Sequence, residues 1–170
     1  MNWRRTEPHS RGQTIINHNY RGFHLENAIT SPRVAFSVLS ILRIYVGLSL
    51  LQHGTGKILG FPVVPNFANV QLSSLSGVGG MIELVGGILF TIGLFTRPVA
   101  FILCGFTAVA YFMVHAPMGF FPILNHGELA IVYSFAFLYL ATAGAGAWSV
   151  DTSLAGSRSE RNERDALSRA

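Results

Sequence analysis

The sequence predicts an all-α fold, an integral membrane four-helix bundle, and three observations support this. Half of the 170 residues are hydrophobic and only 12% are charged, whereas a soluble domain has about 25% charged residues. The charge is almost absent from residues 34–150, whose only charged side chains are Arg43, Lys57, Glu83, Arg97 and Glu128. This part contains four apolar stretches of about 20 residues, which is the helix length that crosses a bilayer core.

The four predicted spans follow one another with short connections. They cover approximately residues 34–59, 75–96, 98–116 and 127–147. The first span is not expected to be a cleaved signal peptide, because its apolar run is too long and no small-residue cleavage site follows it.

Local signals mark the ends of these spans. Ser31 followed by Pro32 is typical of a helix N-terminus. Pro98 separates the second span from the third and can begin the third helix. Asn125, with Glu128 three residues later, resembles a capping box that opens the fourth helix.

The arginines predict the domain organisation and the topology. Residues 1–33 form a polar tail with five arginines, 34–150 form the membrane domain, and 151–170 form a polar tail with four arginines. The connections at about 60–74 and 117–126 contain neither lysine nor arginine. The positive-inside bias therefore places both termini in the cytoplasm.

Several classes of function are disfavoured by composition. A nucleic-acid-binding protein would show a basic stripe with interleaved aromatic residues on a folded surface, which is absent here. Cys104 is the only cysteine, so an internal disulfide, a CxxC redox pair and a multi-cysteine metal site are excluded. The spacing of histidines and carboxylates gives no specific support for a metal site.

The first span carries polar residues on one side. At 100° per residue, Arg43, His53 and Lys57 fall within a sector about 80° wide. Gly47 and Gly54 lie next to this sector, within about 40° of Arg43, and small residues allow another helix to approach closely. We call this side of the first span, with Arg43, Gly47, His53, Gly54 and Lys57, the seam. The seam is expected to face protein rather than lipid.

Helix direction and rise predict which ionisable groups lie at the same depth. Six are expected to gather in the outer half of the bundle, namely His53, Lys57, Glu83, His115, His126 and Glu128. Arg43 is placed towards the inner half. A buried Glu83 would be stabilised by pairing with Lys57 or Arg43. The apolar loops "FPVVPNFANV" and "PMGFFPIL" are expected to cover the cluster as a lid.

Four motifs, taken in order, resemble the DoxX family of small four-helix membrane proteins. They are "RIYVGLSLLQHGTGKILG", "IELVGGILFTIGLFTRPVA", "HAPMGFFPILNHGELAIVY" and "GAGAWSVD", and together they cover about residues 38–151. His126 is a departure, because the family commonly has Asn-Gly-Gly-Glu at 125–128. The resemblance implies a bacterial inner-membrane protein whose relatives include a membrane subunit of thiosulfate:quinone oxidoreductase and members linked to oxidative-stress complexes.

Three functions remain open at this point. In the first, the chain is a redox-linked subunit that binds a quinone and receives electrons from a partner protein, with Glu83 and His53 as a proton relay. The ligand-binding candidates are then Lys57, His126, Glu128, Arg43 and His115. In the second, the chain is a non-enzymatic scaffold whose charges form structural pairs. The third, a small-solute transporter, is disfavoured because no inverted repeat or broken helix is visible. Membrane lipid and a second copy of the chain are further expected partners.

Overall fold

The structure is a computed structural model that describes residues 31–169. The Arg-rich segment predicted at 1–33 therefore lies almost wholly outside the described residues. The described residues form six α-helices and no strand: α1 (Pro32–Ile58), α2 (Leu75–Ile92), α3 (Thr96–Ala110), α4 (Pro122–Asn125), α5 (Glu128–Ala143) and α6 (Val150–Leu167).

The predicted all-α membrane fold is confirmed. Helices α1 and α2 and the continuous helical segment Thr96–Met118 are each long and apolar enough to cross a membrane. The third segment includes a π-helical turn, Tyr111–His115, and a 3-10 turn, Ala116–Met118. Many large apolar side chains, such as Tyr45, Phe101 and Phe135, are exposed on the helices. Such exposure suits a surface that faces lipid.

The fourth apolar helix is shorter than predicted. It was expected at 127–147, but α5 covers Glu128–Ala143 and has 16 residues, about 24 Å at the rise of an α-helix. The last predicted turn is not helical because Gly144 and Gly146 have φ values of +94° and +76°. The chain leaves the helix there and runs back across the end of the bundle.

The start of α1 agrees with the sequence, whereas the start of α5 does not. Ser31 Oγ accepts a hydrogen bond from Val34 N at 3.4 Å, as predicted for an N-cap. The predicted capping box at Asn125 is wrong. Asn125 is buried and precedes the helix, where its Oδ1 accepts from Gly127 N at 2.8 Å and its Nδ2 donates to Gly119 O at 2.7 Å.

Glycines set the spacing of the helices. Helix α1 packs mainly on α2, and α3 packs mainly on α5. A Cβ added at Gly87 would lie 3.0 Å from Leu51 Cα, and one added at Gly86 would lie 2.7 Å from Leu103 Cδ2. Adjacent glycines of α2 thus allow close contact with α1 on one side and with α3 on the other.

The two ends of the bundle differ in chemistry. We call the end with the start of α1, the α2–α3 turn and α6 the termini face, and the opposite end the distal face. Between them lies an apolar core in which the rings of Phe90 and Phe137 meet edge to face at 5.0 Å. Helix α6 is polar and none of its residues is buried, so the predicted polar C-terminal tail is helical as far as Leu167.

Candidate functional site

A buried ion pair joins α1 to α2 near the distal face. Lys57 Nζ lies 2.9 Å from Glu83 Oε1 and 2.8 Å from Oε2. Glu83 is only 7% exposed. The helices approach closely here because Gly54 and Gly80 lack side chains: added Cβ atoms would lie 2.6 Å from Leu84 Cα and 2.9 Å from Lys57 Cβ, respectively. Of the two partners that the sequence offered Glu83, the structure selects Lys57.

Aromatic rings surround this pair. Lys57 Nζ lies 5.3 Å from the centroid of the Phe67 ring, within the range of a cation–π contact. His53 lies one helical turn before Lys57, with its ring 6.3 Å from Phe67 and 6.4 Å from Tyr133, edge to face. We call His53, Lys57, Phe67, Glu83 and Tyr133 the distal cluster.

The ion pair leaves hydrogen-bonding capacity unused. A lysine ammonium has three N–H donors, and Lys57 makes one hydrogen bond to a side chain among the described residues. Glu83 Oε2 is buried and, although within ion-pair distance of Lys57, accepts no hydrogen bond with suitable geometry in the described part of the chain. Two N–H donors of Lys57 lie beneath an aromatic ring without a hydrogen-bond acceptor in the described residues. Next to them, Glu83 Oε2 has only its ion-pair contact with Lys57 and keeps lone-pair capacity to accept a hydrogen bond.

The predicted gathering of six ionisable groups is only partly correct. His53, Lys57 and Glu83 come together, but His126 and Glu128 are exposed and make no ion pair within residues 31–169. His115 Nδ1 instead lies 3.0 Å from Asn125 O. These three residues share the distal face without joining the cluster, because the loop between Met118 and Glu128 folds on itself around Asn125.

The lid prediction is correct for one residue of the first loop. Phe67 covers Lys57 and His53 from the 3-10 turn Pro65–Phe67. Phe61, Phe120 and Phe121 are 75%, 87% and 59% exposed, so they do not cover the cluster in this chain. Tyr133 was not anticipated. The only sequence signal for it is its position one and a half turns after Glu128 on an otherwise apolar helix.

Arg43 lies apart from the distal cluster, close to the termini face. Its side chain is fully buried. The guanidinium donates to the carbonyls of Phe90, Thr91, Ala145 and Trp148 at 2.5 to 2.9 Å. Its donors are thus committed to the last turn of α2 and to the segment after α5. We therefore do not place Arg43 among the ligand-binding residues that the sequence suggested.

Asp151 is a second residue with a structural role that sequence reasoning missed. Its carboxylate accepts hydrogen bonds from Phe95 N and Thr96 N, both at 2.8 Å, and so caps the N-terminus of α3. Its own N–H donates to Gly93 O at 2.9 Å. Burial alone would raise the pKa of Asp151, but the hydrogen bonds from Thr96 and Phe95 and the Arg43 charge hold this pKa below its usual value.

The lowered pKa of Asp151 predicts acid sensitivity. A carboxyl whose pKa is depressed in the folded state stabilises the protein above its unfolded pKa of about 3.9, and this contribution disappears as the pH falls through the lower folded pKa. Asp151→Asn removes the negative charge and replaces one of the two accepting oxygens by an amide donor. It is expected to cost about 1 kcal/mol at pH 7. The difference from the natural chain should shrink below about pH 4.

Thermal unfolding in mild detergent at pH 7 and pH 3 measures this effect. Asp165→Asn, an exposed substitution on α6, is the matched control and is expected to change little at either pH. A difference between Asp151→Asn and the natural chain that persists unchanged at pH 3 would contradict the capping role.

The described residues contain no group of three or more His, Cys, Asp or Glu side chains arranged to hold a metal ion. The side chains of the distal cluster include a lysine, a carboxylate, an imidazole and a phenol. These groups can donate hydrogen bonds and transfer protons.

Comparison with known proteins identifies the family. The model of the DoxX family matches residues 38–116. An uncharacterized protein of Haemophilus influenzae strain Rd is 48% identical over 117 residues, covering 66% of this chain and 87% of the relative. The inner membrane protein YqjF of Escherichia coli K12 is 30% identical over 120 residues, covering 65% of this chain and 87% of YqjF.

No solved structure matches the chain significantly. The match to an inner membrane protein agrees with the long apolar helices. Together they indicate a multi-pass protein of the bacterial inner membrane. With the family match across the first three helices and a close relative almost wholly covered, the chain belongs to the DoxX family.

Proposed function

We propose that this chain is a quinone-interacting membrane subunit that works with a separate redox protein, and that the distal cluster receives the quinone headgroup. The observation that carries the proposal is the buried Lys57–Glu83 pair with a spare donor and a spare acceptor. The arginine distribution supports a topology with both termini in the cytoplasm, which would place the distal face on the periplasmic side.

The cluster has the groups that a quinone requires. Reduction of a quinone to a quinol takes two electrons and two protons. A spare N–H of Lys57 is suited to donate to a quinone carbonyl oxygen, and Glu83 is suited to hold and deliver a proton. Since His53 precedes Lys57 by one helical turn and contacts Phe67 and Tyr133, it is the candidate second proton carrier.

The electrons must come from outside this chain. The sequence has no flavin or haem motif and no cysteine pair, so a partner protein with a reduced redox centre is the electron source. Exposed His126 and Glu128 at the distal face are suited to contact that partner or the approaching ligand. His115 would position the loop through Asn125.

A second candidate function, a non-enzymatic scaffold, is favoured by the direct contact between Lys57 and Glu83. Lys57 and Glu83 already neutralise each other at 2.8 Å, which is what a scaffold with purely structural charges would show. In that case the chain would hold a partner enzyme in the membrane without binding quinone.

Glu83→Gln separates the two functions. Glutamine keeps the shape but removes the negative charge and the ability to carry a proton. If the cluster binds quinone, the protein purified in mild detergent should retain about tenfold less extractable quinone than the natural chain, the usual effect of losing one charged hydrogen bond. Glu163→Gln, an exposed substitution on α6, is the control.

The charge-swapped double variant Lys57→Glu with Glu83→Lys completes the test. A structural pair should be restored by the swap, so that folding, accumulation and partner retention all recover. A quinone site should not recover, because the donor and the acceptor have exchanged positions. Normal quinone retention in Glu83→Gln would contradict the quinone proposal and favour the scaffold.

A further inference from the structure

A cavity lies at the termini face, away from the distal cluster. Its volume is about 800 Å³, and it lies between the start of α1, the start of α3, the segment after α5 and the first turn of α6. Its charged lining residues are Arg33, Arg97 and Asp151. The function proposed above makes no use of it.

The two arginines come from different helices and are available to a ligand. Arg33 and Arg97 are exposed, and neither makes an ion pair or a side-chain hydrogen bond with any residue from 31 to 169. A Cβ added at Gly144 would lie 3.4 Å from Arg97 Nη2, so this guanidinium lies against bare backbone. Paired guanidinium groups are well suited to bind a phosphate oxygen from two sides.

The opposing charge of Asp151 is already compensated. Both of its oxygens accept backbone N–H groups from the start of α3, and the Arg43 guanidinium acts on it from the core. The helix N-terminus is therefore occupied by the protein's own carboxylate and is not the anion site. The remaining positive charge in the cavity is that of the two arginines.

The rest of the lining is apolar and contains a strained aromatic residue. Phe36, Phe95, Ala147 and Ala155 contribute to it. Phe95 has a φ of +51° and is 64% exposed, although a bulky residue in the left-handed region costs free energy. The hydrogen bond from Phe95 N to Asp151 holds this conformation, and Phe95 lines the cavity beside Arg97.

We propose that this cavity binds an anionic phospholipid, with the phosphodiester between Arg33 and Arg97 and an acyl chain along Phe36 and Phe95. Both arginines lie at helix ends, at the depth where lipid headgroups meet water. An anionic lipid satisfies the charge of the arginines and the apolar lining together, whereas free phosphate would satisfy only the charge.

Native mass spectrometry of the full chain tests the proposal. The protein is released from detergent micelles that contain equal amounts of phosphatidylglycerol and phosphatidylcholine, and the lipid adducts are counted. We expect retention of phosphatidylglycerol over phosphatidylcholine. Each of Arg33→Gln and Arg97→Gln should reduce that preference about fivefold, as expected for one basic residue at a membrane surface. Arg161→Gln on exposed α6 should leave it unchanged.

Three results would overturn the proposal. They are equal retention of the two lipids, an equal loss in Arg161→Gln, and displacement of the lipid by millimolar inorganic phosphate. A fourth arm uses the chain lacking residues 1–30. If only the shortened chain retains lipid, residues 1–30 occupy the cavity in the full chain. In that case the lipid proposal fails. Circular dichroism of each variant verifies that the helices are intact.

Discussion

Arg43→Met is expected to destabilise the protein by about 3 to 5 kcal/mol, the largest effect of any single substitution considered for this chain. The substitution leaves four backbone carbonyls without their donor: those of Phe90, Thr91, Ala145 and Trp148. Each buried carbonyl that loses its partner costs about 1 to 3 kcal/mol. Relief from burying the Arg43 charge offsets part of this total, which is why the expected loss is less than the sum.

The loss should appear as a fall of about 10 °C in the thermal unfolding midpoint in mild detergent. Arg43→Lys is expected to lie between the natural chain and Arg43→Met, because a lysine has three donors on one atom and cannot span four carbonyls. Arg158→Met removes an exposed arginine from α6 and is the control. If the unfolding midpoint of Arg43→Met equals that of the control, the hydrogen bonds of Arg43 to the four carbonyls do not stabilise the fold.

Gly54→Ala is expected to separate α1 from α2 and to disrupt the distal cluster. The added Cβ would collide with backbone atoms of α2, lying 2.6 Å from Leu84 Cα and 2.8 Å from Glu83 C. Backbone atoms cannot rotate away as a flexible side chain can. Overpacking usually costs about 1 to 3 kcal/mol, and the contact with backbone predicts the upper end of this range.

Gly105→Ala is the matched control for Gly54→Ala. It also adds one methyl group in the middle of an apolar helix, but no atom lies within 4 Å of the new Cβ. It should leave the stability unchanged or raise it by up to about 1 kcal/mol. The measurements are thermal unfolding and, for the cluster, quinone retention. Equal behaviour of the two alanine variants would contradict the close packing at Gly54.

The sequence by itself determined the architecture. Low charge and four apolar stretches of about 20 residues predicted an all-α membrane fold, because a bilayer admits few other arrangements of an apolar chain. The seam of Gly47, Gly54 and Lys57 on α1 faces α2 as the helical period predicted.

Loop geometry is where sequence reasoning failed. The period of a helix predicts which face a residue occupies, and the rise predicts its depth, but neither describes a turn. Asn125 folds the third connection around its own amide, and this removes His115 and His126 from the cluster that their depth suggested. Gly144 and Gly146 end α5 before the predicted residue 147. Their positive φ values cannot be predicted from the apolar composition of the segment.

Only the tertiary structure decided the partners of the buried charges. The sequence left Glu83 with two possible cations, because Arg43 and Lys57 share one face of α1. In the structure, Lys57 pairs with Glu83, whereas Arg43 donates hydrogen bonds to four carbonyls at the opposite end of the bundle. The physical reason is depth: α2 runs antiparallel to α1, so Glu83 meets the end of α1, and the last turn of α2 meets Arg43.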